Sequence, residues 1–106
     1  MNIQEAHPDD AVNIAGHLHT VLYEDDKMRV LKVIVRPGDE AAMHWHPHNM
    51  NYVLSGGKLM FTKPDGTSAE VELAAGQVTS SDQESSHGVK NTGDTTVETV
   101  QVELKY

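Results

Sequence analysis

A chain of 106 residues with a formal net charge of −8 fits one domain, and its acidic surface repels phosphate backbones, which argues against nucleic acid as a partner. Hydrophobic residues make up 38% of it, which suits thin strand layers around a small cavity better than a thick helical core. There is no cysteine, which rules out disulfides and thiolate chemistry; no apolar run approaches the ~20 residues of a membrane span, and no basic amphipathic stretch suggests a membrane surface.

The opening "MNIQEAHPDDAVN" is acidic and lacks the apolar segment of a secretory signal, so a cytoplasmic protein is expected. Residues 1–19 show no clear period and read as an N-terminal arm, with His7 exposed on it. From residue 20 onward β signals dominate, so 20–106 is expected to be a single barrel domain. "TVLYE" (20–24) ends at Asp25-Asp26, and "MRVLKVIVR" (28–36) at Pro37-Gly38. "AAMHWH" (41–46) is stopped by Pro47, which has no N–H to give to a ladder. "MNYVLS" (50–55) runs to Gly56-Gly57, and "KLMFTK" (58–63) to the turn Pro64-Asp65-Gly66. "SAEVEL" (68–73) alternates polar and apolar. "QVTSS" (77–81), "SHGVKN" (86–91) and "TTVETVQVELK" (95–105) complete the set. Eight or nine short strands at this spacing predict an all-β sandwich or barrel, and no segment has the sustained period of a long helix.

The chemistry concentrates at "MHWHPHNM". On a strand, residues two apart share a face, so His44 and His46 present their imidazoles to one space while Met43 and Trp45 face the other way. Met43 and Trp45 are therefore expected outside the barrel, against the arm or a second subunit. Two imidazoles side by side are two ligands for one metal ion; solvent-facing strand histidines are the plain alternative. The same spacing recurs at His17-Leu18-His19, where it is not expected to bind metal. His48 follows Pro47, which breaks the strand geometry, so it is assigned to the mouth of a site or to solvent.

Two spaced segments, Gly38-x5-His44-x-His46 and Gly76-x5-Asp82-x-Glu84-x2-His87-x3-Asn91, resemble the two motifs of the cupin superfamily. The resemblance covers roughly residues 20–105. It implies an all-β double-stranded β-helix, or jelly-roll, barrel. It also implies one divalent metal ion (Fe, Mn, Ni or Zn) on His44, His46 and His87. Two departures stand out. Asp82 and Glu84 replace the Pro and Gly of the second motif, which affects the turn before His87. The first motif's glutamate is missing: counting by interval reaches Met50, and aligning "YVLSG" reaches Asn49. Asn49 and Met50 are thus the candidate fourth ligands, an amide oxygen and a soft thioether.

By parity with His87, Val89 and Asn91 should point inward. Tyr52 and Gln101 are candidate cavity residues, with Val100 and Val102 competing against Gln101 for the inner face. Met60 and Phe61 are expected in the core or wall. The resemblance implies a metal-dependent enzyme on a small polar or carboxylated metabolite. Dioxygenase chemistry is preferred, because some cupin dioxygenases acting on thiols or diketones use three histidines on iron. A sugar or sugar-acid isomerase or lyase, and a non-catalytic binding barrel or one with a degenerate metal site, remain open. A homodimer is expected from exposed sheet edges.

Overall fold

The computed structural model describes residues 7–105. A single helical turn, α1 (Ala11–Ile14), precedes nine strands: β1 His19–Glu24, β2 Met28–Val35, β3 Glu40–His46, β4 Asn49–Ser55, β5 Gly57–Thr62, β6 Ser68–Leu73, β7 Val78–Ser81, β8 Ser85–Asn91 and β9 Val97–Leu104. They form a five-stranded sheet, β1-β2-β9-β4-β7, and a four-stranded sheet, β3-β8-β5-β6, with antiparallel pairing throughout. The inner faces of both sheets meet in one apolar cluster that includes Val35 and Val97 from one side and Ala41, Leu59 and Val89 from the other. Among the described residues no helix is long and apolar enough to cross a membrane.

The turn glycines have a backbone reason. Gly38 and Gly76, which open the two spaced segments, sit at φ of 85° and 87°, a region that a side chain disfavours. The segment Asp82–Glu84 turns with no non-glycine residue at positive φ among the described residues, so the missing proline and glycine are replaced without backbone strain.

Two local features set which side chains face inward. The first is a bulge in β3. Ala41 pairs with Val89 and His44 with His87, so three steps on β3 match two on β8. The extra residue puts both Ala41 and His44 on the inner face and leaves Ala42 and Met43 exposed. The second is β9, which turns Val97, Thr99, Gln101 and Glu103 inward and leaves Val100 and Val102 on the outer face. The contest on this strand therefore goes to the polar residue, against its hydrophobicity. The valines lose because Val97 is needed in the core and strand parity fixes the rest.

Residues 1–6 of the expected arm lie outside the described residues. From His7 onward the segment is docked on the barrel. Asp10 caps α1 by accepting from the Val12 N–H at 3.0 Å, and Ala11, Ala15 and Leu18 are buried. His7 is not an exposed residue: its ring stacks on Trp45 with centroids 4.1 Å apart and planes 4° from parallel. Trp45 faces away from the cavity and is covered by this segment, and Met43 is exposed beside it.

Candidate metal centre

Strand parity and pairing bring four imidazoles together. His44 and His46 share the inner face of β3, His87 lies directly opposite His44 on β8, and His19 enters from the first position of β1. Ring centroids are 4.8 Å apart for His44–His87, 4.9 Å for His44–His46 and 5.1 Å for His46–His87. His19 stands 5.5 Å from both His44 and His46. Ligand nitrogens of His19, His44 and His46 all lie within 4.8 Å of one another, the spacing of a group able to hold a metal ion. His87 borders this group without meeting the same spacing to all three.

The hydrogen bonds fix the tautomers. His19 Nδ1 is 2.8 Å from the Ala15 carbonyl, His44 Nδ1 is 2.7 Å from the Ala42 carbonyl, and His46 Nδ1 is 2.7 Å from Glu103 Oε2. The two carbonyls only accept, so Nδ1 of His19 and of His44 carries the hydrogen and Nε2 keeps its lone pair; at His46 the ionised Glu103 carboxylate at 2.7 Å sets the same tautomer over the longer, 3.4 Å approach of Gln101 Nε2. Ala42 lies within the β3 bulge. His44 Nε2 is buried and has no hydrogen-bond partner among the described residues. A buried lone pair without a donor is costly unless something electrophilic meets it. These donors fit a divalent ion: neutral imidazoles, oriented through their second nitrogen, with ligand nitrogens close to one another.

The comparisons with known proteins give the family and the fold. The Cupin_2 family model, a cupin domain, matches residues 31–103. This chain belongs to the cupin family. A solved cupin domain from Bordetella pertussis Tohama I is 26% identical, with a TM-score of 0.76 over 83% of this chain and 92% of that one. A Klebsiella pneumoniae protein with a double-stranded β-helix domain is also 26% identical, with a TM-score of 0.64 over 82% and 75%. A predicted oxalate decarboxylase from Thermotoga maritima shares the fold at 22% identity and a TM-score of 0.55, over 90% and 74%. No curated protein matches the chain in sequence.

In this cupin the histidines are held neutral. Burial, joined by the neighbouring imidazoles, lowers His19 to about 4 and His46 and His87 to about 3, and burial lowers His44 as well. Behind His46 lies a buried ionic chain. Arg29 donates to Glu103 Oε1 from Nε at 2.9 Å and from Nη2 at 2.6 Å, and Nη2 also donates to Asp10 Oδ1 at 2.8 Å. Glu103 is fully buried. Burial pushes its pKa upward, while the Arg29 guanidinium opposes that shift. The chain thus links the helix cap at Asp10 to the orientation of the His46 ring.

Several residues named from sequence stand elsewhere. Met50 is 41% exposed on the outer face of β4, because strand alternation gives the inner face to Asn49; it does not reach the cavity. Asn49 does line the cavity, but its Oδ1 already accepts from Asn51 at 3.3 Å and Gln101 at 3.2 Å. Tyr52, at 47% exposure, shares the outer face with Met50 and lines nothing inside. His48 lies in the β3–β4 connection, off the cavity wall, with its carbonyl accepting from the Leu104 N–H. Asn91 is buried but is a loop tie: its Nδ2 donates to the Val35 and Thr95 carbonyls, and its Oδ1 accepts from the Gly93 N–H. Gln101, Val89 and Phe61 line the cavity, whereas Met60 lies on the outer side of its sheet.

Sequence reasoning missed two functional residues. Spacing alone does not predict metal binding at His17-Leu18-His19, yet the structure divides the pair: His17 donates to the Glu40 carbonyl at the surface, and His19 enters the cluster. Glu103 belongs to neither spaced segment and carries no motif. Its signal is the inward parity it shares with Gln101 and Val97.

Proposed function

We propose that this cupin is a metal-dependent enzyme acting on a small molecule, with one divalent ion held by His19, His44 and His46 and with His87 beside it as the fourth imidazole. His19 then fills the coordination role that the absent glutamate leaves open. The observation that carries this reading is the set of three Nδ1–H groups committed to acceptors in a cluster of closely spaced imidazoles, which leaves the Nε2 lone pairs for an ion. Iron, manganese, nickel and zinc all accept imidazole nitrogen. Bound there, such an ion supplies a Lewis-acidic or redox-active centre beside open coordination positions.

The chain's own residues favour oxidative, dioxygenase-type chemistry over isomerisation or elimination. The cavity wall carries no Asp, Glu, Lys, Arg or Tyr among the described residues, so beyond the imidazoles a sugar isomerase or lyase would have no general acid or base there. What the wall does supply is positioning and exclusion of water. Glu103 holds His46 in place, Gln101 offers an amide, and Phe61, 5.0 Å from the His87 ring, shields that imidazole.

The test is metal analysis of untagged wild-type protein and of His44→Ala, followed by oxygen uptake of the iron-loaded protein with thiols, diketones and carboxylates. One metal ion per chain in the wild type and far less in the variant is expected. A wild type that takes up no metal would overturn the metal centre. Full metal loading with no oxygen consumed on any substrate would overturn the oxidative reading alone.

A further inference from the structure

The cavity behind the imidazoles has a volume of about 350 Å³ and two unlike ends. The volume lies at the small end of the ~300–1,000 Å³ of small-molecule sites. The strand register orders the lining. Along β9 the inward residues run Val97, Thr99, Gln101, Glu103, with Val97 opposite Val35, and Gln101 and Glu103 opposite Asn51 and Asn49. One end is therefore imidazole and amide. The other is hydrocarbon, built from Val35, Val53, Leu59, Leu73 and Val97, with Phe61 between it and the His87 ring. Val71, opposite Leu59, lines this end and is exposed.

Charge decides the head group. Apart from its histidines the wall has no ionisable side chain among the described residues. Asp10, Arg29 and Glu103, behind His46, together carry one net negative charge. A divalent ion on neutral imidazoles leaves one positive charge uncompensated in a buried site. A monoanion balances it; a second anionic group would have to lie in the hydrocarbon end without a partner.

Gln101 adds a third element. Asn49 Nδ2 donates to the Pro47 carbonyl at 2.7 Å, so Asn49 Oδ1 faces Gln101 and accepts from its Nε2. That orientation leaves Gln101 Oε1 buried, on the cavity wall, without a partner among the described residues. A carbonyl so placed calls for a donor on the ligand.

We infer that the ligand is an aliphatic monocarboxylate with a hydroxyl or amino donor beside the carboxylate. Its anionic head lies at the imidazoles, its donor at Gln101 Oε1, and its hydrocarbon tail along the valine, leucine and phenylalanine wall. This inference rests on the metal reading above and narrows its substrate class.

The experiment uses the cobalt(II)-loaded full chain. Metal uptake is measured first, by elemental analysis and the cobalt visible band. The loaded protein is then titrated with glycolate, 2-hydroxybutanoate, 2-hydroxyhexanoate and 2-hydroxyoctanoate, alongside hexanoate, 1-hexanol and 2-hydroxybutanedioate. Affinity is expected to rise about fourfold per buried methylene until the cavity is full. Hexanoate should bind more weakly than 2-hydroxyhexanoate, and Gln101→Met should abolish that difference. The alcohol and the dicarboxylate should bind at least about tenfold more weakly than their matched hydroxy acids. Leu73→Asn should weaken 2-hydroxyhexanoate and leave glycolate unchanged; should a variant fail to fold, the wild-type series decides alone. A flat series, or a dicarboxylate that binds as well as 2-hydroxybutanoate, overturns the inference with the metal centre intact. A chain that takes up no cobalt overturns the metal centre and the inference with it.

Discussion

Glu103→Gln tests the link between the buried ionic chain and the imidazole cluster. The carboxylate accepts from three donors at once: two from Arg29, at 2.9 and 2.6 Å, and one from His46 Nδ1, at 2.7 Å. An amide has one oxygen to offer. Turned toward Arg29, it presents its NH2 to His46 Nδ1, and two donors then face each other. The ring escapes by moving its hydrogen to Nε2, which destroys the lone pair that a metal needs. Turned the other way, the NH2 meets the guanidinium. In both orientations Arg29 keeps only Asp10 as a charged partner. Breaking a buried ion pair costs ~3–5 kcal/mol, and the surviving Asp10 contact places this case near ~3 kcal/mol. With an unfolding entropy of ~2.1 cal/mol/K per residue, that lowers the melting temperature of the metal-free chain by about 13 °C. Losing the outer-shell carboxylate should also weaken metal binding by about 10- to 100-fold. Thermal denaturation of the metal-free protein and zinc competition against a chelator read the two effects separately. A melting temperature within about 2 °C of wild type, with zinc affinity within about twofold, would refute the reasoning.

Three further outcomes are expected. His19→Ala and His87→Ala should each cost at least the ~10–100-fold in zinc affinity that losing an outer-shell partner costs, whereas His48→Ala should leave it unchanged; isothermal titration separates them. In the metal-free protein, His19, His46 and His87 titrate at about 4, 3 and 3 in the folded state, below an unfolded value of ~6.5. The unfolded chain then binds more protons, so stability is full above pH ~6.5 and falls as pH drops through that window, by about 1 kcal/mol per histidine per pH unit. Urea midpoints from pH 8 to pH 4 check it, and a pH-independent midpoint would contradict buried neutral histidines. Finally, on the outer face of the five-stranded sheet Met50 neighbours Val102, which neighbours Val30, and Tyr52 lies between Val100 and Val78. Met50, Tyr52 and Val78 are exposed there. We expect a homodimer through this face, with Tyr52→Asp shifting the mass from light scattering to one chain; a wild type that is monomeric at every concentration would refute it.

The strand count, the turns and the family were legible in the sequence because they rest on local chemistry. Gly38 and Gly76 mark positive φ, Pro47 stops a strand, and a period of two shows in "SAEVEL" without knowledge of any neighbour. The pair His44 and His46 was legible for the same reason, since shared parity needs only the strand itself. Met50 and Tyr52 fall on the outer face because they take the parity opposite to Asn49 along β4, which interval counting does not register.

Composition, turn chemistry and strand period by themselves determined an all-β barrel with a histidine pair on one inner face. Tertiary structure decided the rest of the site. Only the docking of α1 and β1 brings His19 to His44 and His46, twenty-five and twenty-seven residues along the chain, roughly the separation at which sequence periodicity no longer speaks. Only the bulge in β3 aligns Ala41 and His44 on one face. Only the pairing of β9 with β2 and β4 turns Gln101 and Glu103 inward past their neighbouring valines. The physical reason is common to all three. A metal centre is built from convergence, and convergence is fixed by cross-strand register and packing, which the order of residues along one strand does not contain.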